Sequence, residues 1–136
     1  MCFYIDPKNK RKKTAKEDIV CYKNFKTNIR KNNIESIYFE YFWEIEKQET
    51  TEIGNIVIEH NPIKEEAVIH KGFHSFSSKA FTEAHNKLAG LFYTVTDNTS
   101  YVITYECVIP KGSKYYYNSR DEEYVSNCMI IKKKIN

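Results

Sequence analysis

The residues best able to do chemistry are gathered in the segment HKGFHSFSSKAF, residues 70–81. It holds His70 and His74, four residues apart, and a serine-rich turn before a predicted helix. Histidine can transfer protons or bind a metal, and serine can act as a nucleophile or cap a helix. On a regular strand the two histidines would face one side about 13 Å apart, too far to share a metal ion. We therefore expect no metal site and no cofactor.

Common catalytic and cofactor motifs are absent from the sequence. No GxSxG elbow surrounds any serine, and neither GxGxxG nor GxxxxGK[ST] occurs, so a serine hydrolase, a Rossmann fold and a P-loop are not indicated. The four cysteines form no CxxC pair, which argues against a zinc ribbon or a thioredoxin motif. Widely spaced free thiols are typical of a reducing compartment, so we expect a cytoplasmic protein.

The charge is distributed unevenly along the chain. The net charge is +3, with a basic N-terminal run up to Lys16 and three consecutive lysines at 132–134. Between residues 17 and 131 there are 12 basic and 17 acidic side chains. A general nucleic-acid binder is expected to carry a basic face across its fold, so this distribution argues against nucleic acid as the partner. Residues 7–16 are predicted to form a basic loop that is solvated or binds phosphate.

The hydrophobic pattern predicts a strand-rich fold. Eleven Tyr, eight Phe and one Trp favour strands over helices. Alternation in SIYFEYFWEIE (36–46) predicts one long strand, and shorter strands are expected at 2–5, 18–25 and 53–62. No apolar run approaches the roughly 18–20 residues of a membrane span, and the opening residues are not typical of a secretory signal peptide. We expect one domain over residues 1–136 and no membrane partner.

A single main helix is predicted from about 77 to 89. Ser77 or Ser78 would cap it, and Gly90 would end it. LFYTV and YVITYECVI are then predicted to form a hairpin, followed by a type I turn with Pro110 second and Gly112 fourth. The expected fold class is α+β, a β-rich antiparallel or mixed curved sheet with this helix packed on it.

Two stretches resemble the ADP-ribosyltransferase fold. GFHSFSSKAF (72–81) is a predicted strand ending in Ser-Phe-Ser before a helix. VIPKGSKYYYNSRDEEYVSNCMII (108–131) has a Pro-Lys-Gly turn, an aromatic segment and acidic residues before the last strand. That family carries a Ser-Thr-Ser-type strand and a late glutamate that contacts the ribose. The resemblance implies Ser75 or Ser77 at the serine position and Glu122 or Glu123 as the catalytic glutamate of an enzyme acting on NAD.

The chain also resembles small proteins of phages and prophages of low-GC bacteria, in its Lys-, Ile-, Asn- and Tyr-rich composition. Such proteins include inhibitors of host defence that sequester nucleotide immune signals. The resemblance implies a counter-defence protein that captures a cyclic ADP-ribose isomer or a cyclic oligonucleotide, as a homo-oligomer. The candidate ligand-binding residues, aromatic for stacking and polar for phosphate or ribose, are Phe73, His74, Ser75, Lys111, Lys114, Tyr116, Tyr117 and Arg120.

Three functions therefore remain open from the sequence. Capture of a nucleotide-derived ligand is the first hypothesis, since pockets of this kind combine apolar walls with a few polar groups. An ADP-ribosyltransferase-like enzyme that uses Glu123 or Glu122 is the second. The third is an inhibitor that binds a host defence protein through its acidic body or an exposed sheet edge, without a small ligand.

Overall fold

The computed structural model of the protein describes residues 3–6, 10–28, 34–36, 42–60, 63–96 and 100–135. Within these ranges the chain forms thirteen strands and one helix. The strands are β1 (Phe3–Tyr4), β2 (Lys13–Thr14), β3 (Ile19–Asn28), β4 (Ile34–Ser36), β5 (Phe42–Trp43), β6 (Gln48–Thr50), β7 (Val57–His60), β8 (Glu65–Ile69), β9 (Phe73–Phe76), β10 (Ser100–Ile109), β11 (Lys114–Asn118), β12 (Glu123–Ser126) and β13 (Cys128–Lys134), and the helix is α1 (Lys79–Thr96).

The strands form a large antiparallel sheet and a small one. The large sheet has the order β2-β11-β12-β9-β3-β10-β13-β6, with β4 paired to β3 and β5 paired to β4. Its centre is the ladder between β3 and β10, which runs in unbroken register from Ser100↔Asn28 to Ile109↔Ile19. The small sheet has the order β1-β8-β7. The predicted β-rich antiparallel sheet with one helix is confirmed, and strands outweigh the helix more than an α+β fold implied.

The large sheet is strongly curved because of a single connection. β12 and β13 lie four positions apart in the sheet order, yet Asn127 alone separates them in the sequence. In a flat sheet, four strand spacings would hold them about 19 Å apart, whereas two residues of extended chain span only about 7 Å. The sheet must therefore curl until β13 comes back beside the end of β12.

The concave side of the curled sheet holds the main hydrophobic core. Its side chains come from β3, β5, β9, β10 and β13, so distant parts of the chain meet there. Trp43 is its aromatic centre, with ring centroids 5.5 Å from Phe25 and 4.8 Å from Phe73. The buried members are Cys21, Phe25, Trp43, Phe73, Ile103, Tyr105, Cys107, Ile109, Met129 and Ile131. A smaller core of Phe3, Ile69, Tyr116 and Val125 joins the small sheet to β11 and β12.

Helix α1 packs on the opposite face of β3, β9 and β10. Ser78 is its N-cap, since its Oγ accepts a hydrogen bond from the Phe81 amide at 3.2 Å. A buried polar network fixes the helix to the sheet: Asn24 donates to the Thr82 carbonyl at 2.9 Å, and Thr104 donates to Asn24 at 2.6 Å. The predicted helix packed on the sheet is confirmed. No helix among the described residues is long and apolar enough to cross a membrane.

The helix is longer than the sequence indicated. It continues through Gly90 to Thr96, so the prediction that LFYTV forms the first strand of a hairpin is wrong. Extending an existing helix adds one hydrogen bond for each residue that is fixed. An interior glycine costs only about 1 kcal/mol, and strand propensity in LFYTV is a weak preference of similar size. The partners of β10 are β3 and β13 instead.

Two other local predictions are wrong. Residues 36–46 are not one strand, because Ile34 pairs with Trp43 and Glu35 with Phe42 in antiparallel register, so the chain reverses between β4 and β5. Each short strand alternates its side chains as one long strand would, and the pattern therefore could not reveal the reversal. Residues 37–41 lie outside the described residues.

The turn after β10 is shifted by one residue from its predicted position. The Ser113 amide donates to the Pro110 carbonyl at 3.0 Å, so Pro110 is the first residue of the turn and Gly112 the third. Gly112 has a φ of +90°, which is typical of the third position of a type II turn.

Gly72 should be far less replaceable than Gly112. Both have positive φ, at +140° and +90°, but a Cβ at Gly72 would lie 2.4 Å from Val125 Cγ2, whereas one at Gly112 would meet nothing within 4 Å. We expect Gly112→Ala to lower the free energy of unfolding by about 1–2 kcal/mol through strain alone. Gly72→Ala should cost about 1–3 kcal/mol more through overpacking. Urea unfolding measures both, and equal losses would contradict the packing at β9.

Candidate functional site

The predicted ligand-binding residues do not form one site. Phe73 belongs to the main core and Tyr116 to the smaller core, so neither ring is available for stacking on a ligand. Lys111 and Lys114 are exposed beside the turn that follows β10. Arg120 is exposed at the tip between β11 and β12, where it pairs with Asp121 at 3.2 Å. The predicted set is therefore divided among two cores and two exposed turns.

His74 and Glu123 form a buried hydrogen-bonded pair, each about 5 % exposed. His74 Nε2 lies 2.9 Å from the His70 carbonyl oxygen, which can only accept, so Nε2 carries a proton. His74 Nδ1 lies 3.2 Å from Glu123 Oε1. The geometry resembles the base and orienting acid of a catalytic site, but both side chains are sealed from solvent.

Ser75 and Lys23 lie next to this pair. Ser75 Oγ is fully buried and makes no hydrogen bond within the described residues. Lys23 donates to the His74 carbonyl at 2.7 Å, and desolvation lowers the pKa of its amine. Serine, lysine and histidine thus meet at β9, but they satisfy backbone groups or face the core. Ser75, predicted as a ligand-binding residue, therefore has no open approach.

Two buried cysteine thiols face the same core. Cys21 and Cys107 are directly paired across β3 and β10 and both are free thiols. Burial raises the pKa of Cys21 to about 12. Burial likewise raises the pKa of Cys107 well above its usual value. Because the thiolate is the reactive form, these two cysteines are structural at neutral pH.

The two glutamates predicted as catalytic differ in environment. Glu122 is exposed, with φ +50°, and its carbonyl accepts hydrogen bonds from the amide and hydroxyl of Ser77. Ser77 Oγ also lies 3.1 Å from the Tyr117 hydroxyl. Ser77, Tyr117 and the Glu122 backbone therefore meet in a partly exposed cluster. The Glu123 carboxylate points away from it and toward His74.

An open pocket of about 330 Å³ lies on the helix side of the sheet. Three of its residues form a row across neighbouring strands, since Tyr22 pairs with Glu106 and Glu106 pairs with Lys133. Directly opposed residues of antiparallel strands share one face. The remaining walls come from the first residue of α1 and from the end of β13. The lining residues are Tyr22, Lys79, Glu106, Lys133, Lys134 and Ile135, and we call this the lysine pocket.

A β-bulge places Lys133 in the lysine pocket. The register between β10 and β13 shifts between Glu106 and Cys107, with Cys107 opposite Ile131 and Glu106 opposite Lys133. The shift leaves Lys132 as the extra residue, and its ammonium pairs with Glu46 at 3.0 Å. In a regular strand Lys133 would share the core face with Ile131, because side chains alternate. Bulges often re-aim side chains in this way next to functional sites.

The lysine pocket is electropositive. Its one described carboxylate, Glu106, lies 3.9 Å from Lys133, which leaves Lys79 and Lys134 without an acidic partner among the described residues. Lys79 begins α1, whose first turn carries no acidic side chain. The N-terminus of a helix has a partial positive charge that favours anions. Two unpaired ammonium groups and the helix dipole therefore act in the same direction.

Sequence reasoning did not identify this pocket. The terminal lysines 132–134 were noted only as a basic end of the chain, and Tyr22 and Lys79 were not singled out. The available signal was Lys79 immediately after a capping serine, at the start of the predicted helix. The rest depends on pairing across three strands and on a bulge, which a single sequence does not specify.

Comparison with protein-family models, curated proteins and solved structures finds no match to this chain. No group of three or more histidine, cysteine, aspartate or glutamate side chains that could hold a metal ion occurs in the described part of the chain. The candidate function must therefore be argued from the lysine pocket itself.

The pair between His74 and Glu123 should contribute to stability. Glu123→Ala leaves His74 Nδ1 buried without its partner, and breaking a buried pair costs about 3–5 kcal/mol. Glu123→Gln keeps an amide donor for Nδ1 and should cost only about 1 kcal/mol. Urea unfolding at pH 7 gives both values. Glu122→Ala, at the exposed neighbouring side chain, is the matched control and should change stability by less than about 0.5 kcal/mol; equal effects at 122 and 123 would contradict the pair.

Stability should fall as the pH rises from 9 to 12. The Cys21 thiol stays neutral in the folded protein up to a pKa of about 12, whereas its ordinary value is 9.0. The unfolded chain therefore loses this proton first, which lowers the free energy of unfolding by about 1.4 kcal/mol per pH unit in that window. Tyr124, whose pKa burial raises to about 12, adds to the slope above pH 10.

Cys21→Ala should make this decline shallower, whatever it does to stability at pH 7. Urea unfolding at pH 7, 9 and 10.5 measures the slope. Cys128→Ala leaves both buried thiols in place and should keep the original slope. A slope that is identical in all three proteins would show that Cys21 ionises equally in the folded and unfolded states.

Proposed function

We propose that the protein binds a small nucleotide-derived anion in the lysine pocket and releases it chemically unchanged. The observation that carries the proposal is that two lysines without an acidic partner among the described residues share one open pocket with the N-terminus of α1. Phosphate groups are the anions that such an arrangement favours. A volume of about 330 Å³ falls at the lower end of small-molecule pockets, which span roughly 300–1,000 Å³. A mononucleotide or a compact cyclic nucleotide matches that size.

The remaining walls of the pocket suit the rest of a nucleotide. Tyr22 is partly exposed and lies in the row with Glu106 and Lys133. A tyrosine ring can stack on a base, and such stacking contributes about 1–3 kcal/mol. Ile135 adds an apolar surface. The Glu106 carboxylate can accept hydrogen bonds from ribose hydroxyls or from an exocyclic amine, which would favour a nucleotide over inorganic phosphate.

Capture is supported over catalysis by the position of the reactive groups. His74 and Glu123 are buried and hydrogen-bonded to one another. Neither contributes to the walls of the lysine pocket. The carboxylate of that pocket, Glu106, is 3.9 Å from Lys133, and an adjacent positive charge weakens a carboxylate as a base. An ADP-ribosyltransferase-like reaction would require Glu123 to be released from His74, or Glu122 to act from the exposed turn before β12, outside the lysine pocket.

A counter-defence role gives this binding activity a biological purpose. The resemblance to small phage proteins implies sequestration of a nucleotide immune signal, and a sequestering protein needs affinity without turnover. A cyclic ADP-ribose isomer or a cyclic oligonucleotide carries both phosphate and base, the two groups that the pocket lysines and Tyr22 would contact. Assembly as a homo-oligomer in the bacterial cytoplasm belongs to the same proposal.

A second candidate is an inhibitor that binds a host defence protein through β7. All four residues of β7 are exposed, and it lies at the end of the order β1-β8-β7. Its apolar side chains are about half exposed, at 44 % for Val57 and 52 % for Ile58, and Ile63 nearby is 92 % exposed. Exposed strand edges with apolar side chains pair readily with other chains. This feature supports a protein partner independently of the lysine pocket.

Ligand capture is tested by calorimetric titration of the protein with ADP, cyclic ADP-ribose isomers, cyclic dinucleotides and NAD. The bound ligand is then recovered from the denatured protein and identified. We expect at least one nucleotide to bind and to be recovered intact. Lys79→Ala combined with Lys134→Ala should weaken binding at least tenfold, because a charge-assisted hydrogen bond contributes about 1.5–3 kcal/mol.

The matched control is Lys64→Ala combined with Lys71→Ala, which removes the same charge at exposed residues that do not line the pocket. Tyr22→Leu should weaken the binding of nucleotides without affecting the binding of inorganic pyrophosphate. Nicotinamide release from NAD that is lost in Glu123→Gln would replace this proposal with the enzyme. Absence of binding by every nucleotide would overturn it and favour the inhibitor that uses β7.

A further inference from the structure

We propose that the edge of the large sheet formed by β2 and β11 binds single-stranded nucleic acid. This surface is separate from the lysine pocket, and the proposal does not depend on ligand capture there. It rests on two features that the fold brings together: an unneutralised set of basic side chains and a neighbouring row of partly exposed tyrosine rings.

The fold joins two basic segments that lie about 100 residues apart in the sequence. β2 pairs with β11 through Lys13↔Tyr115 and Thr14↔Lys114. Two backbone hydrogen bonds of 2.8 Å fasten Ala15 to Gly112 and Ser113. The resulting basic edge comprises Lys10, Arg11, Lys12, Lys13, Lys16, Lys111 and Lys114, and all seven side chains are exposed.

The basic edge is not neutralised from within the described structure. None of its seven cations forms an ion pair with a described carboxylate. The two acidic residues of this region are Glu17 and Asp18, and Asp18 accepts the Lys111 backbone amide at 2.8 Å, so it serves the turn. Lys114 donates to the Thr14 hydroxyl. A concentration of unpaired cations on one edge is the electrostatic signature of a surface that binds a phosphate backbone.

Three tyrosines continue from this edge across one face of the sheet. Tyr115 is opposite Lys13, and Tyr117 is opposite Tyr124. Tyr124 lies between the other two rings, with centroids 5.9 Å from Tyr115 and 4.7 Å from Tyr117. All three are partly exposed, whereas Tyr116, which points to the other face, is buried. We call Tyr115, Tyr117 and Tyr124 the tyrosine row.

Phosphate-binding cations beside aromatic rings fit a single strand better than other polyanions. Bases that are not paired can stack on protein rings, and each stacking contact contributes about 1–3 kcal/mol. A duplex keeps its bases stacked inside and would use only the basic edge. An anionic membrane would favour exposed apolar side chains among the cations, and the basic edge and tyrosine row contribute none of the large exposed aliphatic residues. The distribution of charge along the sequence argued against nucleic acid, because it does not show that β2 and β11 pair and bring their lysines together.

The test measures fluorescence anisotropy of labelled 12-nucleotide dT and rU strands, with a 12-base-pair duplex as comparison. We expect both single strands to bind more tightly than the duplex. Replacing Lys12, Lys13 and Lys114 by alanine should weaken binding and reduce the slope of log K against log salt by about 0.7 for each lost phosphate contact. Replacing Lys47, Lys64 and Lys71 gives the same change in net charge away from the edge and should leave binding nearly unchanged.

The tyrosine row is tested separately from the charge. Tyr115→Leu should weaken single-strand binding about 5- to 100-fold, the equivalent of one stacking contact, without changing the salt slope or duplex binding. Tyr101→Leu, at another exposed tyrosine (42 %), is the control, and thermal melts establish that each variant is folded. The proposal would be overturned by any one of four results: equal binding of duplex and single strand, unchanged binding by Tyr115→Leu, no binding at low salt, or tighter binding to anionic vesicles. Lys79→Ala with Lys134→Ala should leave oligonucleotide binding intact, which separates this result from the test of the lysine pocket.

Discussion

The fold depends on the corner at Asn127, where β12 ends and β13 begins. Asn127 makes three hydrogen bonds. Its backbone amide donates to the Lys114 carbonyl at 3.1 Å, and its side-chain oxygen accepts from the Lys114 amide at 2.9 Å. Its backbone carbonyl accepts from the Thr51 amide at 2.8 Å. The corner thus ties β11, the segment after β6 and the two strands it joins. Because one residue must connect strands that are four positions apart in the sheet, the sheet curls and its concave face closes over a core.

The same curl explains why the most reactive-looking residues are structural. β9 carries Phe73, His74, Ser75 and Phe76 and is buried along its whole length. It lies between β12 and β3, with the Trp43 ring against Phe73 on the concave side. On the other side, the Phe81 ring of α1 lies 5.2 Å from Phe76. A buried polar side chain is costly unless it finds a partner. His74 finds partners in Glu123 and the His70 carbonyl, whereas the Ser75 hydroxyl on the same strand makes no hydrogen bond within the described residues.

Much of the local structure could be predicted from the sequence, because it is determined by neighbouring residues. Ser78 caps α1 through the amide of Phe81, three residues later. Features that depend on distant pairing could not be predicted. Whether Glu106 faces Tyr22 and Lys133 is decided by the register of three strands, and a shift of one residue moves every side chain to the opposite face. The bulge at Lys132 makes such a shift within β13, and no turn residue or glycine in the sequence marks it.

His70 and His74 differ in burial for the same reason, because strands that are distant in the sequence decide which side chains are covered. The residue types in HKGFHSF suggest chemistry, but type alone does not indicate how many neighbours will cover a side chain. His70 is 48 % exposed at the side chain and pairs with Glu59, whereas His74, four residues on, is 4 % exposed. The difference arises because His70 precedes Gly72, outside β9, and His74 lies within the curled sheet. His74 is a structural residue because strands from elsewhere in the chain bury it, and the local sequence does not determine that burial.

The curled sheet also determines where the basic edge and the lysine pocket lie. Their separation makes them electrostatically independent. The basic edge reaches the corner, since Lys114 bonds directly to Asn127. Lys133 lies five residues along β13 from Cys128, a distance of about 17 Å in an extended strand. Exposed charges are screened beyond about 8 Å at physiological ionic strength, so the basic edge and the lysine pocket influence one another little. The acidic excess of residues 17–131 lies in the chain between them. Two electropositive surfaces can therefore coexist on a chain of modest net charge, because the length of β13 separates Lys133 from the corner at Asn127.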